Sequence, residues 1–132
     1  MKAQHPQLLA LAGCGPLSAA KISAETGEVT SFRNEAAFAR HAGVAPTPRW
    51  SGVDTGGLRA GRSGNRQLNQ ALHKIAIAQV RMGGPGQVYY RRRIDGGDTG
   101  PTALRCLKRK IARVVYRRLL IDSQRGSTTL TL

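Results

Sequence analysis

Acidic side chains are scarce in this chain of 132 residues, which has seven Asp and Glu against 21 Lys and Arg. A two-metal phosphodiester site needs several carboxylates that converge on ions about 4 Å apart. The acids are scattered along the chain, and the one close pair, Asp95 and Asp98, lies in a glycine-rich segment typical of a turn. The sequence therefore lacks the groups of a self-sufficient metal-dependent nuclease.

Cysteines and long apolar runs are also few. Cys14 and Cys106 lie far apart, and the three histidines form no ligand-like cluster with them, so we expect reduced thiols and no metal or other cofactor in this chain. No run approaches the roughly 20 apolar residues of a membrane span, and residues 1–6 do not resemble a secretory signal. These absences predict a soluble, cytoplasmic and nucleoid-associated protein with no membrane partner.

Positive charge is abundant and unevenly placed. The formal net charge is +14, and the sequence pI is about 11.4. Residues 1–45 carry a net +1, residues 46–81 carry +5 and residues 82–132 carry +8. A polyanion such as DNA is the natural partner of this gradient, because each phosphate that a cation neutralises releases condensed counterions.

The first segment predicts two short helices joined by a Gly-x-Gly-Pro turn. Gly13 and Gly15 supply backbone freedom and close approach, and Pro16 suits the first position of the second helix. This pattern resembles a helix-hairpin-helix motif, in which backbone N–H groups at the turn face a nucleic-acid phosphate. A plain helix connection without a ligand needs the same glycines, so both interpretations stay open.

The periodicity of the remaining chain predicts a mainly α fold in one domain, residues 5–122, with a flexible tail at 123–132. Further helices are expected over 17–26, from Asn34 to Gly43, from a cap at Asn65 or Ser63 to about Met82, over 87–94, and from about Pro101 to Ile121. The last is a basic amphipathic helix, and its Arg105, Lys108 and Arg109 are predicted nucleic-acid contacts.

An irregular glycine- and proline-rich loop fills residues 44–66, and a short β-hairpin pairing 49–53 with 57–62 is compatible with its pattern. The predicted phosphate contacts here are Arg49, Arg59, Arg62 and Arg66. Ser51 precedes Gly52, which leaves its hydroxyl open to approach, and the arginines would neutralise a phosphorane as charge develops. Without further context, a turn serine that bonds its own backbone is the commoner interpretation.

Four blocks in this order resemble the C-terminal domain of the insertion-sequence 110 (also 116 and 902) transposase family. They cover Leu8 to Ile121: Ala12-Gly13-Cys14-Gly15-Pro16 with Ala19-Ala20, Phe32 with Phe38-Ala39-Arg40-His41-Ala42-Gly43-Val44-Ala45-Pro46, Ser51-Gly52 with Arg62-Ser63-Gly64-Asn65-Arg66-Gln67-Leu68, and the basic helix Leu107 to Leu119. Any one block alone would be weak, but the order of four makes the resemblance specific.

The resemblance implies a site-specific recombinase with a divided active site. Ser51 matches the family serine that attacks DNA and becomes covalently attached to it. An N-terminal RuvC-like domain, absent from this sequence, would supply acids and magnesium. A structured guide RNA would select the DNA sites, and the divided site implies a homo-oligomer of the full protein. We expect this chain to be inactive alone.

A second function class stays open on the sequence. A non-catalytic helix-hairpin-helix protein of ribosomal or architectural type would share the basic charge and the Gly-x-Gly turn. A RuvC-like reading frame upstream of Met1 would favour the transposase.

Overall fold

The computed structural model describes residues 5–45 and 64–130, the last six of these through their backbone alone. Six α-helices and one 3-10 turn follow one another in these ranges, which contain no strand. They are α1 (Pro6–Leu9), α2 (Pro16–Thr26), the 3-10 turn (Val29–Ser31), α3 (Glu35–Ala42), α4 (Arg66–Met82), α5 (Pro85–Asp95) and α6 (Gly100–Leu130). The mainly helical fold class is confirmed, while the hairpin considered for 49–62 lies outside the described residues.

Helix ends lie where the capping residues predict them. Asn34 accepts a hydrogen bond from the Ala37 N–H at 2.9 Å, which satisfies a donor that has no partner within α3. Helix α2 ends before Gly27, and α3 ends before Gly43, whose φ of +75° is a left-handed conformation that favours glycine. Local backbone chemistry thus sets these boundaries.

Two helices are longer than predicted. Helix α5 begins at Pro85 instead of position 87, because proline needs no N–H at the first helical position. Helix α6 continues to Leu130, past the predicted end near Ile121, while the flexibility expected for residues 123–132 stays a prediction. In the part of the chain that the structure describes, no helix is both long and apolar enough to cross a membrane.

Helix α6 is the central element, since it packs against α1, α3, α4, α5 and the 3-10 turn, while α2 packs mainly against α4. The largest side chains that are less than 2% exposed come from five different helices. They are Leu8, Ile22, Phe38, Leu68, Leu72, Ile75 and Val115. Phe38 lies between Phe32 and Tyr116, with ring centroids 5.5 and 5.6 Å away. One continuous core therefore holds both described ranges together.

The two cysteines lie within this folded body. Cys14 and Cys106 are both free and buried. Burial raises the pKa of the Cys14 thiol, because a thiolate would lose its hydration there. Cys14 is therefore a small packed side chain and an uncharged one at neutral pH.

The exposed side of the α3–α6 contact is an ion-pair network. Glu35, at the start of α3, accepts from Arg113 Nε at 3.1 Å and from Arg117 Nε at 2.7 Å. Burial by itself would raise the pKa of Glu35, but the hydrogen bonds from Arg117 and Arg113 outweigh it and lower the pKa. The folded state therefore favours the carboxylate.

Replacing Phe38 by Ala should lower the free energy of unfolding by about 3–5 kcal/mol, because the fully buried ring would leave a cavity. Urea denaturation followed by circular dichroism measures this. Leu17→Ala is the control, since Leu17 is 86% exposed and its truncation should change stability by less than about 0.5 kcal/mol. Equal losses in the two variants would contradict the packing.

Glu35→Gln should reduce the pH dependence of stability in the acid range. The pKa of Glu35 is lower in the folded than in the unfolded chain, so its contribution is present above the unfolded pKa and is lost as pH falls through the folded one. Because the group is a third exposed, the effect should stay within about 1 kcal/mol. Comparing unfolding free energies at pH 7 and pH 3 checks it, with Glu28→Gln as the control; an unchanged pH dependence in Glu35→Gln would be the contrary result.

Candidate nucleic-acid interface

The two chain segments that flank residues 46–63 meet at what we call the loop base, residues 43–45 and 64–65. The Asn65 N–H donates to the His41 carbonyl at 2.6 Å. A Cβ built on Gly64 would lie 2.5 Å from Gly43 Cα, so this backbone contact requires glycine at position 64. The loop therefore leaves and re-enters the helical body at one place.

Helix α2 contacts the loop base through Glu25, near the end of the helix. The Glu25 carboxylate accepts from Asn65 Nδ2 at 2.9 Å, and the Glu25 carbonyl accepts from His41 Nε2 at 3.1 Å. Asn65 also caps α4, because its Oδ1 accepts from the Leu68 N–H at 2.8 Å. The predicted cap at Asn65 is confirmed, and His41 bonds a carbonyl of α2.

A second set of contacts joins the loop base to α6. Asn69 Nδ2 donates to the carbonyls of Ala42 and Gly43 at 3.0 and 3.2 Å, and Asn69 Oδ1 accepts from Lys108 Nζ at 2.8 Å. Arg109 Nε donates to the Val44 carbonyl at 3.4 Å. Two cations of α6 are thus held against the point where the loop leaves α3.

Like charges crowd this surface. Burial and the positive charge of Arg105 lower the pKa of Lys108, and burial and the charge of Lys108 lower the pKa of His73. Arg105 and Arg66 are exposed, and Arg105 has a described hydrogen bond only to Thr102 of its own helix, at 3.3 Å. A nearby anion would relieve this repulsion, which makes the loop base favourable for a phosphate.

Four predicted contact residues therefore lie at or beside the loop base, and we call them the loop-base cations. Arg66 begins α4 next to Asn65, and Arg105, Lys108 and Arg109 belong to consecutive turns of α6. The remaining loop residues of the prediction lie outside the described residues; they are Arg49, Ser51, Arg59 and Arg62.

The Gly-x-Gly turn lies elsewhere. A Cβ on Gly13 would lie 3.1 Å from the Ile75 carbonyl oxygen, and Gln79 Nε2 donates to the Ala12 carbonyl at 2.8 Å. These α4 residues follow Arg66 by up to 13 positions, or about 20 Å along the helix axis. Gly13 therefore serves close helix packing, while Gly15 is exposed with open space around it. The structure does not bring this turn together with the loop base.

Sequence reasoning missed Asn69, Glu25 and His73 at this surface. Asn69 stands four residues into α4, where asparagine is a poor helix former and usually has a hydrogen-bonding role. That signal was available. The pairing of Glu25 with Asn65 spans 40 positions, and no local pattern reports it.

Three of the described acids bond structural partners. Glu25 supports the loop base, Glu35 binds two arginines, and Asp98 accepts from Arg93 Nε at 2.6 Å. Within residues 5–45 and 64–130, no three His, Cys, Asp or Glu side chains lie where they would hold a metal ion together.

Comparison with known proteins supports the family that the sequence blocks resemble. The family model described as "Transposase IS116/IS110/IS902 family" matches residues 5–91, which is more than half of the chain. The chain belongs to the IS116/IS110/IS902 transposase family. The matched range contains the Gly-x-Gly turn, the loop base and α4, while α6 lies beyond it.

Three curated insertion-element proteins are similar to this chain. An IS110 protein of 43.6 kDa from Streptomyces coelicolor is 36% identical over 84% of the chain and 27% of its own length. An IS116 protein from Streptomyces clavuligerus is 31% identical over 79% and 26%, and an IS900 protein from Mycobacterium paratuberculosis is 30% identical over 83% and 28%. The chain spans about a quarter of the length of these relatives. No solved structure matches it.

Removing two loop-base cations of this transposase-family chain should weaken duplex DNA binding more than removing two other arginines of α6. The double variant Arg105→Ala with Arg109→Ala should make the slope of log affinity against log salt less negative by about 2, because each phosphate contact contributes about −0.9. Arg113→Ala with Arg117→Ala changes the net charge equally and leaves the loop base intact. Fluorescence anisotropy over a salt series measures both.

Equal losses of DNA affinity in the two double variants would mean that binding depends only on the net charge of the chain. Each variant is checked for folding by circular dichroism, because loss of Arg113 and Arg117 leaves Glu35 unpaired.

Proposed function

We propose that this chain is a DNA-binding part of a transposase and that its glycine- and proline-rich loop carries the nucleophile, Ser51. The supporting observation is the loop base: the two ends of the loop are held together, and Lys108 and Arg109 are hydrogen-bonded there. A loop anchored among cations would meet the DNA backbone where phosphates are already bound. The whole protein's activity is part of the proposal, since the chain corresponds to about a quarter of its relatives.

In the proposed step, Ser51 Oγ attacks a phosphorus atom of the DNA backbone. A serine–phosphate bond forms, one P–O bond within the strand breaks, and the proton that the serine hydroxyl loses passes to the leaving DNA oxygen. Arg49, Arg59 and Arg62 would stabilise the charge that develops on the phosphorane oxygens. The loop-base cations would hold neighbouring phosphates and so fix the geometry of attack.

Metal-binding acids have to come from another domain under this proposal. Glu25, Glu35 and Asp98 already bond structural partners, so a RuvC-like domain with magnesium would complete the active site. A structured guide RNA would select the DNA sites through base pairing. A homo-oligomer would place the serine of one copy near the acids of another.

The Gly-x-Gly turn would provide a separate phosphate contact, as in a helix-hairpin-helix. Gly15 precedes α2 without a side-chain cap, and Pro16 and Leu17 beside it are exposed. Backbone N–H groups at such a helix start favour an anion. With the loop base about 20 Å distant along α4, the two contacts would engage different phosphates of one duplex.

The alternative of a ribosomal or architectural binder is not favoured, because the family match and the three relatives all point to insertion elements. Both functions would give salt-sensitive DNA binding, so only the covalent step separates them.

Mixing this chain with a RuvC-like domain of the family, guide RNA and substrate DNA should yield a covalent serine–DNA adduct, whereas the chain alone should cleave nothing. Ser51→Ala should abolish the adduct, because alanine has no oxygen to bond phosphorus. Denaturing gels with labelled DNA, followed by mass spectrometry of the linked peptide, give the readout.

Ser63→Ala is the matched control, as a second serine of the same loop, and should keep the adduct. An adduct that persists in Ser51→Ala would refute the assignment of the nucleophile. Loss of the adduct in both variants, with DNA binding retained, would refute a specific role for Ser51.

A further inference from the structure

A half-open cavity of about 180 Å³, with both polar and apolar groups in its lining, lies beside α2, where Ser23 is two residues from Glu25 of the loop-base contacts. It is lined by His5, Ser23, Glu28 and Asp122 together with the backbone of Gly27 and the side chain of Leu119. Asp122 follows Arg105 by 17 positions, which is about 25 Å along α6. Nothing in the proposed DNA chemistry uses these residues.

Three side chains at this cavity lie next to one another in space, with His5 between Ser23 and Asp122. Ser23 Oγ lies 2.8 Å from His5 Nε2, which is within hydrogen-bonding distance. His5 Nδ1 faces Asp122 Oδ2 at 3.9 Å. The imidazole therefore lies between a hydroxyl and a carboxylate, and each of its nitrogens faces one of them.

The carboxylate is buried and only half satisfied. The Asp122 side chain is 3% exposed; its Oδ1 accepts from the Gln7 N–H at 3.2 Å, and its Oδ2 has no hydrogen-bond partner among the described residues. His5 Nδ1 is also buried without one. A buried carboxylate oxygen without a donor is costly, so the imidazole tautomer that carries its hydrogen on Nδ1 is favoured.

That tautomer decides the roles at the other nitrogen. With the hydrogen on Nδ1, Nε2 is an acceptor, and the Ser23 hydroxyl must donate to it. A serine that donates to an imidazole, which a carboxylate orients in turn, is the arrangement that activates a serine nucleophile. Such contacts are often long before a substrate binds, so the 3.9 Å separation is compatible with this role.

We propose that Ser23 is a second reactive serine, with His5 as its general base and Asp122 as a positioning residue, and that it takes a small uncharged ester. Ser23 Oγ bonds the ester carbonyl carbon, and its proton passes to His5 Nε2. The carbon–oxygen bond to the alcohol then breaks, and His5 returns the proton to the leaving alcohol. Water attacks the acyl-serine by the same route and releases the acid.

The charge of the cavity selects this substrate class. Glu28 and Asp122 both line it, so a phosphodiester or other anion would be repelled, whereas an uncharged carbonyl group would not. The site is therefore distinct in chemistry from the proposed DNA site, and the two share no residue.

An uncharged fluorophosphonate tests the proposal on the whole chain, because attack by Ser23 forms an oxygen–phosphorus bond, expels fluoride and leaves a permanent mass tag. Peptide mass spectrometry should find the tag on Ser23, and Ser23→Ala should abolish it. Ser18→Ala, in the same helix, is the matched control and should label as the parent does. Labelling elsewhere but not at Ser23 would overturn the proposal.

The roles of the other two residues have separate readouts. His5→Ala should slow labelling by about 100-fold, and added imidazole should restore part of the rate, which a merely structural histidine would not allow. Asp122→Asn should lower the maximal labelling rate about 10-fold and leave the half-saturating probe concentration unchanged. Labelling of Ser23 that is independent of His5 would overturn the assignment, and if Asp122→Asn unfolds the chain, the imidazole rescue decides it.

Discussion

The hydrogen bonds of Asn65 fix the relative positions of three helices. Its backbone bonds the end of α3 through the His41 carbonyl, its side-chain oxygen starts α4, and its side-chain nitrogen reaches Glu25 near the end of α2. Each such bond contributes only about 0.5–1.5 kcal/mol net, but an unpaired, partly buried group would cost more. Lys108 and Arg109 of α6 lie beside both flanks of residues 46–63 because this junction brings those flanks together.

The basic side chains behind the net charge of +14 differ in the groups that they bond as well as in their positions along the chain. On α6, Arg113 and Arg117 share one glutamate, whereas Lys108 and Arg109 hydrogen-bond neutral groups at the loop base and have no acidic partner among the described residues. Electrostatic attraction of a polyanion acts on such uncompensated charge. Composition alone would weigh all these side chains equally.

Local signals in the sequence predicted the local features. The cap at Asn34 was predicted correctly, and Asn65 is one of the two caps predicted for α4, because a cap depends on residues within a few positions of one another. The contact of Lys108 with Asn69 spans 39 positions, and tertiary packing alone creates it. For the same reason, the sequence showed that the Gly-x-Gly turn is tight but not how far it lies from the loop base. Ser51 is proposed as the nucleophile on the family resemblance, and it lies outside the described residues.

The backbone contact between Gly43 and Gly64 brings the two flanks of residues 46–63 together, so the described helices set the distance that this segment has to span. The entropy of closing a flexible loop grows only with the logarithm of its length, at about 0.6 kcal/mol for each doubling. By this relation, a change in the length of residues 46–63 would alter the closure entropy little, provided that the two glycines still meet. Selection on the length of this segment is therefore separated from selection on the glycine contact that joins its flanks.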